Sequence, residues 1–232
     1  GQGIFVLNEG EKEFLKLNKN EFELIKPHYT TKQLKKWYGS AQNEEWLIYT
    51  DSKFKYKETI KPYPNIKKHL DKFQEIITSD NKPYGLHRAR EEYFFKGEKI
   101  IALRKCPNEP VFTYTDFDCY VTATFYIIKS ERINHKYLCA ILNSKLIAFW
   151  LRYKGKMQGN NYQIDKEPLL QIPIYKAHES EYLPIIELVD RILSILKKDA
   201  DANISAFEFQ INKMIYQLYG LNDDEIRIIE EK

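Results

Sequence analysis

From Lys145 to Ile164 the chain carries four basic residues and no acidic one. The middle of that stretch reads Arg152-Tyr153-Lys154-Gly155-Lys156-Met157-Gln158-Gly159-Asn160-Asn161-Tyr162-Gln163. These side chains make contacts rather than bonds. Lysine meets phosphate as a point charge, asparagine and glutamine can pair bidentately with adenine, and glycine lets a backbone come close. Arg152, Lys154, Lys156, Gln158, Asn160 and Asn161 are therefore candidate nucleic-acid contacts. The competing reading is a solvated, flexible loop that happens to be basic, and composition does not separate the two. Leu86-His87-Arg88-Ala89-Arg90 sets two arginines two apart beside a histidine. Arginine is the side chain best suited to bidentate bonds with guanine O6 and N7 or with phosphate. Arg104-Lys105 ends a strand-like run, where side chains project into a loop. Arg88, Arg90, Arg104 and Lys105 complete the candidate set.

Residues for bond-making chemistry are missing. Methyl transfer to adenine needs a Gly-rich turn after a strand and an Asp/Asn-Pro-Pro-aromatic loop around the flipped base. The sequence has no Pro-Pro, and its one G-x-G, Gly1-Gln2-Gly3, has no strand before it. A metal-dependent nuclease needs clustered carboxylates with a lysine. Asp51-Ser52-Lys53 and Glu230-Glu231-Lys232 match half of that pattern, as chance allows for such common residues. The five histidines, His28, His69, His87, His135 and His178, include no H-x-x-x-H pair. Cys106, Cys119 and Cys139 are an odd, widely spaced set without C-x-x-C, which argues against a disulfide framework or a structural zinc. The sequence therefore assigns no catalytic residue, no metal ligand and no cofactor within these residues.

At 232 residues and 43% hydrophobic the chain can bury a sizeable core, and 30% charged residues fit a globular protein. No apolar run is long enough to span a membrane and no signal peptide is visible, so a cytoplasmic location is expected. The start at Gly1 without Met suggests a piece of a longer protein. Net charge is only +3 but uneven. Residues 51–165 hold 21 Lys/Arg against 13 Asp/Glu, a local +8; residues 166–232 hold 8 against 13, a local −5. A basic middle and an acidic end suggest that the middle meets a polyanion.

The elements that must position these groups follow from periodicity. Ile4 to Leu7 and Trp46 to Tyr49 read as strands, and Thr30 to Tyr38 as a helical turn or two. Ile66, Leu70, Phe73 and Ile77 share one face of a helix begun at Tyr63-Pro64, with Lys67, Lys68 and Lys72 on its solvated side. Lys99–Leu103, Val111–Tyr114 and the alternating Cys119–Ile128 read as strands. One helix is expected from His135 to Tyr153, then a Gly-rich polar loop over 155–162, then an extended Leu169–Ile174. Ile185, Val189, Ile192 and Leu196 mark a further helix, and Ile204 to Leu218 another, ended by Gly220. Asn222 with Glu225 forms a capping box for a last one.

Several stretches, in order, resemble a known family. Ile25-Lys26-Pro27 with Trp46-Leu47-Ile48-Tyr49 is similar to its opening segment. Tyr63-Pro64-Asn65-Ile66-Lys67-Lys68-His69-Leu70 is similar to its "YPxIxxHL" helix start. Leu86-His87-Arg88-Ala89-Arg90 with Phe95 to Ile101 resembles "LHRAR…F…KII". Ile141-Leu142-Asn143-Ser144-Lys145-Leu146 matches "ILNSKL", and Leu170-Gln171-Ile172-Pro173-Ile174 matches "LxxIPI". Ile215 to Leu221 with Glu225-Ile226 resembles the "VYxLYGLTxxEI" ending. The family is the TaqI-like C-terminal specificity domain of type II restriction–modification enzymes and related adenine-N6 DNA methyltransferases. The match covers about 60–221 well and 1–60 loosely.

The resemblance implies that this chain recognises a sequence in double-stranded DNA. A separate N-terminal methyltransferase domain of the parent polypeptide would bind S-adenosylmethionine, and Mg²⁺ would serve a parent that also cuts. Ile100, Ile101, Leu142, Leu146 and Ile172 are expected in the core, with Asn143 and Ser144 satisfying backbone groups. Base-reading residues are expected in the variable stretches 104–120 and 152–164. The expected architecture is α+β, a mixed sheet with packed helices and a helical C-terminal appendage. A recognition domain would span 1–175, with 1–60 opening it and 60–175 as its core, followed by a helical segment over 176–232. The alternative is a protein-interaction module whose acidic helices dock onto a methyltransferase or partner subunit.

Overall fold

The computed structural model describes residues 3–231, so Gly1, Gln2 and Lys232, with their part in the two terminal motifs, lie outside the described residues. Two compact units share the chain. One takes Gly1–Gln33, Ala41–Gly97 and Phe117–Val121; the other takes Leu34–Ser40, Glu98–Asp116 and Thr122–Lys232. Labels below run in chain order across both.

The first unit is built on an antiparallel sheet of β1 (Val6–Asn8), β4 (Glu45–Ile48) and β2 (Ile25–His28), with β4 central. Leu7 faces Trp46 and Ile25 faces Ile48, so one side of all three strands shares a core with Ile66 and Leu70. Those two residues are the inward stripe of α2 (Pro64–Asp71), which follows a short first helix, α1 (Glu9–Phe14), and has proline in its first turn, where a missing N–H costs nothing. Buried Glu21 replaces the capping side chain. Its carboxylate accepts the backbone N–H of Asn65 at 2.7 Å, of Ile66 at 3.0 Å and of Asn18 at 2.8 Å. Burial pushes this carboxyl up, and the hydrogen bonds outweigh burial and hold it below the ordinary range. The helix ends at Asp71, short of the expected Ile77; Phe73 donates to the Leu70 carbonyl and Ile76 to the Phe73 carbonyl in tighter, three-residue turns.

The second unit carries a mixed sheet in the order β3 (Trp37–Tyr38), β7 (Phe112–Thr115), β5 (Lys99–Leu103), β8 (Phe125–Ile128). β3 runs parallel to β7, and the other pairs are antiparallel. A smaller sheet joins β6 (Lys105–Cys106), β10 (Asn161–Gln163) and β9 (Lys156–Gln158). Helices α3 (His135–Leu142), α4 (Lys145–Lys154), α5 (Lys166–Leu170), α6 (Glu179–Lys198), α7 (Ser205–Leu218) and α8 (Asp223–Glu230) complete it. α6 packs on α3 and α7, and α4 packs on α7 and α8. The architecture is α+β, as expected, and the last capping box forms as read, with Asn222 accepting from Asp224 and Glu225.

Five local expectations need correction. Thr30 to Tyr38 is not helical: a turn leads to a Leu34–Gly39 bridge and β3, where pairing with β7 outweighs helix propensity. Of Cys119–Ile128 only Phe125–Ile128 is strand, because Thr122 and Thr124 close a turn on their own hydroxyls. The single helix over 135–153 is two, broken at Asn143-Ser144. The polar loop over 155–162 is the β9–β10 hairpin. Lys166–Leu170 forms a helical turn where 169–174 was expected to be extended.

The break at Asn143-Ser144 has a clear physical reason. The Asn143 side chain brackets the backbone of Phe112 in β7, accepting its N–H at 3.2 Å and donating to its carbonyl at 2.8 Å. Ser144 caps α4, its hydroxyl accepting from Ile147 and donating to the Ile141 carbonyl. The orphan N–H of Lys145 goes to Asn212 of α7 at 2.9 Å. Asn143 and Ser144 thus satisfy backbone groups, as the resemblance implied.

Candidate nucleic-acid interface

The small sheet positions Lys105, Lys156, Gln158 and Asn161 of the candidate set. Successive residues of a strand point to opposite faces. Tyr162 faces Cys106 on one side and Met157 on the other, and Ile164 follows on the same face. Cys106, Tyr162 and Ile164 are buried, so this face is the inner one. The outer face is then fixed by register. Gln163 stands opposite both Lys105 and Lys156, and Asn161 opposite Gln158. Lys105, Lys156, Gln158 and Asn161 are all exposed.

The turn between β9 and β10 is Gly159-Asn160, with Gly159 at φ +61° and open space where a Cβ would stand. Glycine first in a two-residue hairpin turn matches the twist of its strands. Gly155 has a different task. Its N–H caps α4 on the Leu151 carbonyl at 2.9 Å, and a Cβ there would meet that oxygen at 2.5 Å. The hairpin can leave the helix end so closely only because this position has no side chain.

Other groups fix the base of the face. Asp165 pairs with Lys156 at 3.3 Å and accepts from the Gln163 amide at 3.2 Å and 3.4 Å. The Gln163 hydrogen bond lowers the Asp165 carboxyl first; partial burial opposes it, and the Lys156 ammonium lowers it further. Arg104 bridges β5 and β6. Its backbone carbonyl accepts from Ile164 at 2.8 Å. Its guanidinium lies over the Tyr126 ring at 4.9 Å and donates to the Ala123 carbonyl at 3.2 Å, which holds it in place at the sheet's root. Lys154, exposed at the last turn of α4, lies 5.5 Å from the Trp150 ring, and Arg152 is half-buried one turn from the hairpin. Both suit the negative end of the helix.

The structure thus brings Lys105, Lys156, Gln158 and Asn161 onto one face, with Asn160 at its tip and Arg104, Arg152 and Lys154 on flanking elements. Arg88 and Arg90 belong to the first unit. There Leu86 donates to Thr50 and accepts from the Asn81 amide, which stitches the segment to the end of β4. Arg88 is exposed at φ +49°, whereas Arg90 is half-buried, its carbonyl accepting from the Tyr49 hydroxyl at 2.5 Å. Of the stretch 104–120, Phe112 to Thr115 are buried strand and unavailable for contact. Residue-type reasoning missed Gln163, Asp165 and the Tyr126 platform. The alternation Asn161-Tyr162-Gln163-Ile164-Asp165 carried the signal for the first two.

The half-patterns for metal chemistry have other uses. Asp51 caps the short 3₁₀ turn Ser52–Lys55 by accepting from Lys53 at 2.9 Å. Among the described residues, no three His, Cys, Asp or Glu side chains stand where they could share a metal ion, and no helix is long and apolar enough to cross a membrane.

Comparison with known proteins places the chain among DNA-modifying systems at the level of family and fold. The family model of the TaqI-like C-terminal specificity domain matches residues 11–174. The type II methyltransferases M.HincII of Haemophilus influenzae and M.HindII of its Rd strain are each 33% identical to it over 82 residues, covering 32% of this chain. The chain therefore spans a small part of these relatives, the match covering 16% and 15% of their lengths. Among solved structures, the type IIL restriction–modification enzyme MmeI, in complex with DNA, has a similar fold. The TM-score is 0.69 at 13% identity, over 97% of this chain and 32% of that one. The chain belongs to the family of TaqI-like C-terminal specificity domains.

Proposed function

We propose that this chain reads a short sequence in double-stranded DNA for a restriction–modification enzyme. The parent is an adenine-N6 methyltransferase or a type IIG/IIS enzyme that also cuts. One observation carries the reading: the β6-β10-β9 sheet has a buried inner face and an outer face of lysine and carboxamide side chains, and it narrows at its tip to a two-stranded ribbon of the kind a major groove admits. Lysines there take phosphate, and carboxamides take base edges. Arg88, Arg90, Arg104, Arg152 and Lys154 add contacts from the elements that carry them.

In this reading the chain catalyses nothing and binds no cofactor. S-adenosylmethionine, and Mg²⁺ where the parent cuts, belong to other domains, and the N-terminal methyltransferase domain is the protein partner. Residues 1–175 read DNA, and the helices of 176–232 brace the reading unit through α3 and α4. The enzyme works in the cytoplasm, where its DNA is.

Selection from a random duplex library at low and moderate salt tests this. One short enriched motif, weakened by salt and lost when residues 154–161 become Ala/Ser, is the expected result. Absence of duplex binding at any salt overturns the proposal.

A further inference from the structure

Gln158 and Asn161 differ from every other polar residue of the hairpin. They are direct cross-strand partners, so their side chains leave the same face side by side. Both are exposed, and neither carboxamide has a hydrogen-bond partner among the described residues. Gln163, on the same face, spends its amide on Asp165. Asn160 lies in the turn, beyond the last ladder pair. Along β10 the pairing with β6 stops at Tyr162–Cys106, so around Gln158 and Asn161 the sheet has thinned to two strands. A two-stranded ribbon is what a B-form major groove admits.

A carboxamide presents one donor and one acceptor side by side. Adenine's major-groove edge offers the complement, N7 as acceptor and the N6 amino group as donor, whereas guanine offers two acceptors. Cross-strand Cβ atoms stand about 5 Å apart and stacked base pairs about 3.4 Å apart. Two cross-strand carboxamides therefore reach two successive base pairs.

We infer that Gln158 and Asn161 form a two-adenine reading element, so that the target contains two neighbouring A·T pairs, each read through its adenine by one of the two side chains. The inference rests on the DNA-reading role proposed above and names the bases that role selects at the tip. Lys105 and the Lys156–Asp165 pair, nearer the root, set the depth and register of the ribbon.

The test uses the full chain and the same duplex selection, run on the parent, Gln158→Ala, Asn161→Ala and the double variant. Both side chains are exposed, so melting temperatures should match the parent. The expected parent motif contains two adjacent A·T pairs. Each single variant should relax preference at one of them by about five- to a hundred-fold and leave the other positions unchanged. Replacing either adenine by 7-deazaadenine, which lacks the N7 acceptor, should weaken the parent similarly and leave the matching variant indifferent. A motif that no variant alters, or a G·C pair at the positions that respond, overturns the adenine assignment and leaves the DNA-reading role standing. A parent that enriches no sequence overturns both.

Discussion

Asp165 offers a sharp perturbation of the proposed interface, because it sets a negative charge beside Lys156 on a face meant for a polyanion. Its carboxyl is held below the ordinary range, first by the Gln163 hydrogen bond and further by the Lys156 ammonium, so it stays charged at neutral pH and cancels one lysine. Asp165→Asn removes the charge and keeps an oxygen for Gln163. It takes no cap away, because Asp165 heads α5 without a capping side-chain bond. Lys156 has a side chain 73% exposed, and such an ion pair contributes at most about 1 kcal/mol to stability. The fold should hardly notice.

DNA binding should notice. With Lys156 released to a phosphate, one more counterion is displaced and the slope of log K against log[salt] steepens by about 0.9. Between about 200 and 50 mM salt the variant should gain roughly 3.5-fold more affinity than the parent gains. Fluorescence anisotropy of a labelled duplex, titrated at several salt concentrations, measures this. Lys156→Ala in the Asp165→Asn background should return the slope to the parent's. An unchanged slope, or weaker binding by Asp165→Asn at low salt, would refute the placement of this face against DNA.

Asn143→Leu strands the N–H and carbonyl of Phe112, whose residue is fully buried, and should cost about 2–5 kcal/mol in urea unfolding; Asn143→Asp keeps the acceptor but sets a buried carboxylate oxygen against the Phe112 carbonyl, and should lose at least as much. In the first unit, Glu92 accepts from the Tyr120 hydroxyl and pairs with Lys26 at 2.7 Å; burial opposes these contacts, yet they bring its carboxyl down to about 2. A depressed carboxyl contributes stability that is present above about pH 4.5 and lost as pH falls towards 2, so pH-dependent melting should show Glu92→Gln less stable by about 1–2 kcal/mol at neutral pH and flatter in that acid window. Burial pushes the Cys106 thiol up to about 11 and the Cys139 thiol up to about 12, so neither should react with a thiol reagent at pH 8 until the chain unfolds, as kinetics with and without denaturant would show.

What was legible in the sequence follows the physics of each segment. Strands with buried faces, such as Lys99–Leu103, and helices with a four-residue apolar spacing, such as Ile185 to Leu196, announce themselves because burial dictates both residue type and period. Trp37-Tyr38 does not, because its strand exists only through pairing with Phe112–Thr115, more than seventy residues away in sequence. The Asn143-Ser144 break was hidden in an apolar stripe that continues across it, and only the distant Phe112 backbone shows why Asn143 leaves the helix. The hairpin is a different kind of miss. Lys156 to Asp165 alternates polar with apolar around a Gly-Asn turn, a strand–turn–strand pattern on its face. The density of Gly, Asn and Lys points to a loop, and that composition masks the two-residue period. The candidate contacts were chosen by residue type, which finds Lys105, Lys156, Gln158 and Asn161 but cannot tell that Gln163 is committed to Asp165.

That hairpin also shows how such a chain can keep one fold while its target changes. Its inner positions, Met157, Tyr162 and Ile164, are tied to Cys106 and to the root of the sheet at Arg104, while Gly155 sets the angle at which it leaves α4. None of these touches the outer face. Replacing Gln158 or Asn161 changes no buried contact and leaves no buried polar group unsatisfied, so stability places almost no constraint on the outer residues. The motifs that carry the family likeness do the opposite. Asn143, Ser144 and the buried Ile100 and Ile101 each satisfy backbone or core, and a change at any of them is felt by the whole unit. If the outer face reads DNA as proposed, a ribbon with one fixed face and one unconstrained face separates folding from reading at alternate residues of the same strand. In such an arrangement a new specificity needs a few outer substitutions and no repacking.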